Sequence, residues 1–188
     1  MTRVAAVVFD LDGTLLDSDE ALAAPYVALG VPPEEVTFGH VVAEECARLG
    51  LSVDDYLDRY DPTIAQPFLG VDEMLQALPV PWAVCSNKVG RWGHVELDRL
   101  GWSPVVALFA EDFGGPKRLG PVLDALGVAG PDVIFVGDTA HDRRCATAVG
   151  ARFAMAMWNP RASGDAAEAG DALLRTPEDL LGLLDLAG

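Results

Sequence analysis

Asp10 and Asp12 stand in the stretch FDLDGT, directly after an apolar run at residues 4–8. Three further polar clusters follow: SNK at residues 86–88, GGPKRLGP at 114–121 and GDTAHD at 137–142. If the carboxylates of Asp10, Asp12, Asp138 and Asp142 converge, they repel one another and take up protons unless a cation neutralises them. Carboxylate and carbonyl donors favour a hard divalent ion, magnesium, which keeps several waters and bridges one or two carboxylates to a substrate phosphate. Lys117 adds a compact positive charge and Ser86 a hydroxyl donor. The backbone amide of Asn87 and the start of the next helix add an anion-binding terminus. The chemistry these residue types suit is recognition of a phosphate group.

For that to happen, distant segments must be brought to one place. Five short stretches, residues 4–11, 82–86, 105–110, 133–137 and 152–157, are apolar throughout rather than alternating, the pattern of strands covered on both faces. Helical patterns lie between them at 71–78, 90–100, 120–126 and 142–149, with a last one at 177–186. Strand and helix in alternation predict an α/β fold, a doubly wound, mainly parallel five-stranded sheet. Ligands sit beyond the carboxyl ends of such strands. All four polar clusters fall there, one after each of strands one, two and four and one before the helix that follows strand three. Between Asp17 and about Gln66 the patterns are amphipathic, with no convincing strand. We therefore expect a core of residues 1–16 and 68–188 and a small helical lid of residues 17–67, with Pro62 and Pro67 at its return. The acids of DSDE, residues 17–20, suit the positive end of its first helix. The stretch AEAGD, before the last helix, reads as loop.

The order DxDGT, Ser after the second strand, Lys in a Gly/Pro loop, then GDxxxD, resembles the haloacid dehalogenase superfamily. Within it, the chain is similar to the phosphoglycolate phosphatase branch, with a helical cap inserted after the first motif. The resemblance implies a Rossmann-like sheet and a phosphoric monoester hydrolase. It implies that Asp10 is the nucleophile and that Asp12 is the acid for the leaving alcohol, then the base for water. Magnesium would be held by Asp10, the main-chain carbonyl of Asp12 and Asp138. Asp142 would orient the metal's waters or Lys117; a plain helix cap is its other reading. Ser86, Asn87 and Lys117 would bind the phosphoryl oxygens, and Gly13 would allow the sharp turn after the nucleophile. An acid at Asp12 suits an ester, whose alkoxide needs a proton, rather than a halide, which needs none. A phosphomutase of the same superfamily would use the same residues, and a non-catalytic binding module would keep the same fold.

The resemblance implies a small phosphorylated metabolite as partner, and composition argues against the larger polyanions. A net charge of -16 over 188 residues opposes binding to nucleic acid or to an anionic membrane surface. No apolar run reaches the roughly 18 residues of a membrane span. The opening residues lack a small-residue cleavage site. The three cysteines have no framework spacing and suit reduced thiols in the cytoplasm. Only Lys88 and Lys117 are lysines among thirteen basic residues, and both fall in the phosphate-edge loops. His40 and Arg48 are candidate contacts from the lid and Trp158 a candidate rim contact, whereas His141 reads as an exposed loop residue. A lid this small leaves the site more open, or calls on a neighbouring subunit of a homodimer to complete it.

Overall fold

Short runs of small and β-branched residues build the strands of the computed structural model, which describes residues 4–164 and 167–185. Residues 1–3 and residue 186, the expected end of the last helix, lie outside the described residues. The chain begins with β1 (Ala6–Phe9) and a two-residue β2 (Leu16–Asp17), followed by α1 (Asp19–Ala28), α2 (Val42–Leu49) and α3 (Val53–Leu57). A two-residue β3 (Gln66–Pro67) pairs antiparallel with β2, so the helical segment leaves and returns at one place. There follow α4 (Val71–Ala77), β4 (Trp82–Cys85), α5 (Gly90–Leu100), β5 (Val106–Leu108), α6 (Ala110–Phe113) and α7 (Leu119–Leu126). The remainder is β6 (Val133–Gly137), α8 (Ala140–Ala148), β7 (Arg152–Ala156), β8 (Ala172–Leu174) and α9 (Asp179–Asp185). Among the described residues, no helix is long and apolar enough to cross a membrane.

The main sheet has the order β5-β4-β1-β6-β7-β8, and every neighbouring pair is parallel. From β1 the chain moves outward through β4 to β5 and then crosses back to β6 on the other side of β1. That reversal makes the crevice beyond β1 and β6 the switch point where ligands bind in such sheets. Alternate residues feed two separate cores, as the pleat requires. Val7 and Phe9 of β1 and Ile134 and Val136 of β6 join one cluster with Val71 and Met74 of α4, Leu97 of α5 and Leu180 of α9. Ala6, Val8, Val133 and Phe135 face the other way, against Leu119, Val122 and Leu123 of α7 and Ala146 of α8.

The expected sheet of five strands has six. β8 escapes sequence reading because it is three residues long, lies at the sheet edge and leaves Leu173 about half exposed. The β2–β3 ribbon was not expected either: two residues per strand carry no periodicity, and Pro67 is tolerated because the ribbon has no inner position.

Tyr26, Cys46, Tyr56 and Tyr60, from the segment between β2 and β3, belong to the same apolar cluster as Phe9, Leu11 and Leu15. Within this segment Glu45 is nearly buried, and its Oε1 accepts from Thr37 N at 2.8 Å, Thr37 Oγ1 at 2.9 Å and Arg48 Nη2 at 2.6 Å. Arg48 Nε donates to Oε2 at 2.8 Å. Arg48, a candidate site contact on sequence grounds, is thus a structural partner of Glu45. Its hydrogen bonds outweigh burial and lower the Glu45 pKa from 4.5 to about 2. A depressed carboxylate contributes stability that is present above its unfolded pKa and lost as pH falls toward the folded one. We expect Glu45→Gln to cost about 1–3 kcal/mol at pH 7. The gap between variant and wild type in thermal melts should shrink from pH 4.5 downward and vanish near pH 2.

Candidate active site

β1 ends at the switch point, and the turn after it is built for close approach. Asp10 N donates to Val136 O at 2.9 Å, tying the residue to β6, and Leu11 N donates to Asp10 Oδ1 at 2.7 Å. The chain then doubles back, with Leu15 N and Leu16 N both donating to Leu11 O. Gly13 takes φ of +79°, and a Cβ there would lie 2.5 Å from Asp138 Oδ2 and 2.9 Å from Asn159 Nδ2. Two residues after β7 buttress this turn. Trp158 Nε1 donates to Thr14 O at 2.8 Å, and Asn159 Nδ2 donates to Gly13 O at 2.8 Å and to Asp138 Oδ2 at 2.9 Å. Trp158, expected at the rim, instead braces the loop from behind. Asn159 was missed, although its place just beyond a strand end obeys the rule that picked out the others.

Asp138 follows β6, and its Oδ1 accepts from Thr14 Oγ1 at 3.2 Å. Asp142 is in the first turn of α8, where Thr139 is the N-cap. Thr139 N and Oγ1 donate to Asp142 Oδ2 at 2.9 and 2.6 Å, and Asp142 N donates back to Thr139 Oγ1. Its other oxygen, Oδ1, lies 2.6 Å from Lys117 Nζ, which also reaches Asp10 Oδ2 at 2.7 Å. The two sequence readings of Asp142 therefore hold together: one oxygen caps the helix and the other fixes Lys117.

Asp10, Asp138 and Asp142 offer carboxylate oxygens all within 4.8 Å of one another, an arrangement able to hold a metal ion. Fully ionised, the three carboxylates would leave two negative charges beyond the single ammonium of Lys117 in a buried place, which a divalent cation would balance. Burial pushes Asp10 up to about 8, overcoming the pull of Lys117, with Asp142 and Asp138 adding repulsion. Asp138 is pushed up to about 6 by burial and then by Asp142. Burial alone would lower Lys117, but its two carboxylate partners outweigh this and raise it, so it stays charged.

β4 delivers the second loop. Asn87 Oδ1 accepts from Lys117 N at 2.7 Å and Nδ2 donates to Gly39 O at 3.0 Å, so one amide holds both the lysine loop and the helical segment. Ser86 is buried beside it, its Oγ accepting from Lys88 N at 3.3 Å. Asp10, Asp12, Ser86, Asn87, Lys117 and Asp138 line one cavity; Asp142 stands behind it. The opposite wall is aromatic, with Phe38, Tyr56, Tyr60 and Trp92, and carries His40 and Arg161. Arg161, which sequence reasoning passed over, stacks on Phe38 at 4.4 Å and pairs with Asp19.

The Asp12 carboxylate turns away from the other three. Its Oδ1 lies 2.7 Å from Lys88 Nζ, and Lys88 also contacts Glu96 Oε2 at 3.0 Å and Tyr60 OH at 2.7 Å. His141 is not a free loop residue: it lies in α8 with Nε2 at 3.6 Å from Cys145 Sγ.

A sequence model of haloacid dehalogenase-like hydrolases matches residues 26–156. The chain is 33% identical to the phosphoglycolate phosphatase of Xanthomonas campestris pv. campestris, over 85% of this chain and 86% of that one. It is 28% identical to the N-acetylmuramic acid 6-phosphate phosphatase of Pseudomonas aeruginosa, over 98% and 96%. A haloacid dehalogenase-like hydrolase from Streptococcus pneumoniae superposes with a TM-score of 0.79 at 21% identity, covering 97% of this chain and 99% of its own, a likeness of fold.

Alanine at Gly13 separates strain from clash. Gly50 has a similar φ of +70° with nothing within 4 Å of a Cβ. Gly50→Ala should cost about 1–2 kcal/mol, the price of a left-handed alanine. Gly13→Ala should cost clearly more in urea denaturation, because Asp138 and Asn159 must also move.

Proposed function

Because the chain belongs to the haloacid dehalogenase-like hydrolases, we propose that it is a magnesium-dependent phosphatase that cleaves a small phosphate monoester through an aspartyl-phosphate on Asp10. The observation that carries this reading is Asp10 itself. One of its oxygens is held by Leu11 N and the other by Lys117, and it sits at the switch point within 4.8 Å of two further carboxylates.

Magnesium suits this donor set, which is all oxygen with two negative charges in excess. Asp10, Asp138 and the main-chain carbonyl of Asp12 would hold it, with Asp142 behind, fixing Lys117. When bound, the ion supplies Lewis-acid charge to the phosphoryl oxygens. The remaining work is done by the chain. Lys117, the Ser86 hydroxyl and the loop at Asn87 bind the transferring phosphoryl group, where charge builds up. Asp10 attacks phosphorus, and Asp12 gives its proton to the departing alcohol. Asp12 then takes a proton from the water that attacks the aspartyl-phosphate, so that phosphate leaves and Asp10 is restored.

The leaving group would lie against Phe38, Tyr56, Tyr60 and Trp92, with His40 and Arg161 as polar contacts. That wall suits a small phosphorylated metabolite, the class to which the substrates named for the Xanthomonas and Pseudomonas relatives belong. The buried, free cysteines Cys46, Cys85 and Cys145 support a reducing, cytoplasmic setting.

The test is phosphate release from a panel of phosphorylated metabolites with magnesium. Wild type should turn over at least one of them. Asp10→Asn should lose about 10³-fold or more in kcat, and chelation of divalent ions should abolish release until magnesium is restored. Equal activity of wild type and Asp10→Asn would sink the reading, and isomerisation without phosphate release would replace it with a mutase.

A further inference from the structure

We propose that Lys88, caged by Glu96 and Tyr60, is a positioning residue that fixes the Asp12 carboxyl so that Oδ2 carries and delivers the acid proton. This rests on the reading of Asp12 as general acid. The two lysines of the chain divide the work. Lys117 pairs with Asp10 and Asp142, whereas Lys88, on the same cavity, pairs with Asp12.

The cage holds Lys88 from three sides. Its Nζ donates to Asp12 Oδ1 at 2.7 Å and to Tyr60 OH at 2.7 Å and is ion-paired with Glu96 Oε2 at 3.0 Å. Tyr60 OH in turn donates to Glu96 Oε1 at 2.6 Å, which orients its own lone pair toward Lys88. The side chains of Lys88 and Glu96 are 3% and 0% exposed, and the ammonium lies 4.9 Å from the Tyr60 ring centroid. Glu96 comes from α5 and Tyr60 from the segment between α3 and β3, so the cage is anchored on two separate elements.

Because Lys88 only donates, the oxygen it touches must accept. A protonated Oδ1 would be the poorer acceptor for the ammonium, so the Lys88 hydrogen bond favours the proton on Oδ2, which makes no hydrogen bond among the described residues. In the first half-reaction the Oδ2–H bond breaks, and its proton passes to the ester oxygen as that oxygen takes the electron pair of the P–O bond. In the second, Oδ2 takes a proton from water while the water oxygen bonds to phosphorus and Asp10 departs with its own electron pair.

A general acid matters for a poor leaving group and little for a good one. The experiment therefore compares kcat/KM for an alkyl phosphate that the wild type turns over and for 2,4-dinitrophenyl phosphate. That quantity reports the first half-reaction alone, whereas kcat also contains the second half-reaction, in which Asp12 serves every ester alike. Removing Lys88 alone would strand the buried Glu96 carboxylate, so the variants are the double change Lys88→Met with Glu96→Gln, and the milder Tyr60→Phe. We expect the double variant to lose about 10²-fold on the alkyl ester and at least tenfold less on the aryl ester. KM should barely move, Tyr60→Phe should shift the ratio the same way by less, and Asp12→Asn should show the same selectivity. Equal losses on both esters, or a loss confined to KM, would overturn the positioning role while leaving the phosphatase reading intact. That reading fails separately, if wild type and Asp10→Asn release phosphate alike.

Discussion

Every part of the site answers to one imbalance: three buried carboxylates meet one buried ammonium. Lys117 joins Asp10 to Asp142 at 2.7 and 2.6 Å, and each neighbouring element serves to keep it there. Asn87 holds its amide, and the Cys145 thiol donates to its carbonyl at 3.3 Å. Thr139 occupies the far oxygen of Asp142, so the near one faces only Lys117. A charge cluster of this kind is costly to bury without good geometry, which is why so much backbone hydrogen bonding is spent on fixing it.

What could be read from the chain follows from the same physics. Carboxylates and lysines at strand ends announce themselves, because a buried apolar strand followed by a charge is a local conflict that only a site explains. Thus the places of Asp10, Ser86, Lys117 and Asp138 at one sheet edge were legible. Partnerships that depend on tertiary distance were not. Lys88 could be placed at the edge, but nothing local says that it turns toward Asp12, since its other partners lie 28 residues earlier and eight later. Asn159 was hidden by sitting beyond a strand with no charged neighbour to mark it. β8 and the β2–β3 ribbon are too short to carry a period, and they exist because neighbouring strands offer an edge.

The helical segment between β2 and β3 is joined to the core by more than its two ends. Tyr26, Tyr56, Tyr60 and Trp92 form a row of rings with centroids 4.4, 6.2 and 5.7 Å apart, running from α1 through α3 to α5. The row passes through the cage around Lys88 at Tyr60. The same aromatic surface thus supports the segment, walls the cavity and reaches the Asp12 carboxylate through Lys88, so none of these can be altered separately there.

The loop at residues 86–88 concentrates three duties on adjacent residues: a hydroxyl on the cavity, an amide that pins the lysine loop and Gly39, and an ammonium for Asp12. Successive side chains in an extended loop point different ways, so three directions are served by three positions with none to spare. Inserting or deleting one residue would rotate all three out of place together. In the history of such a chain, length changes should accumulate in the helical segment and the turns opposite, while this tripeptide keeps its spacing even as the rest diverges.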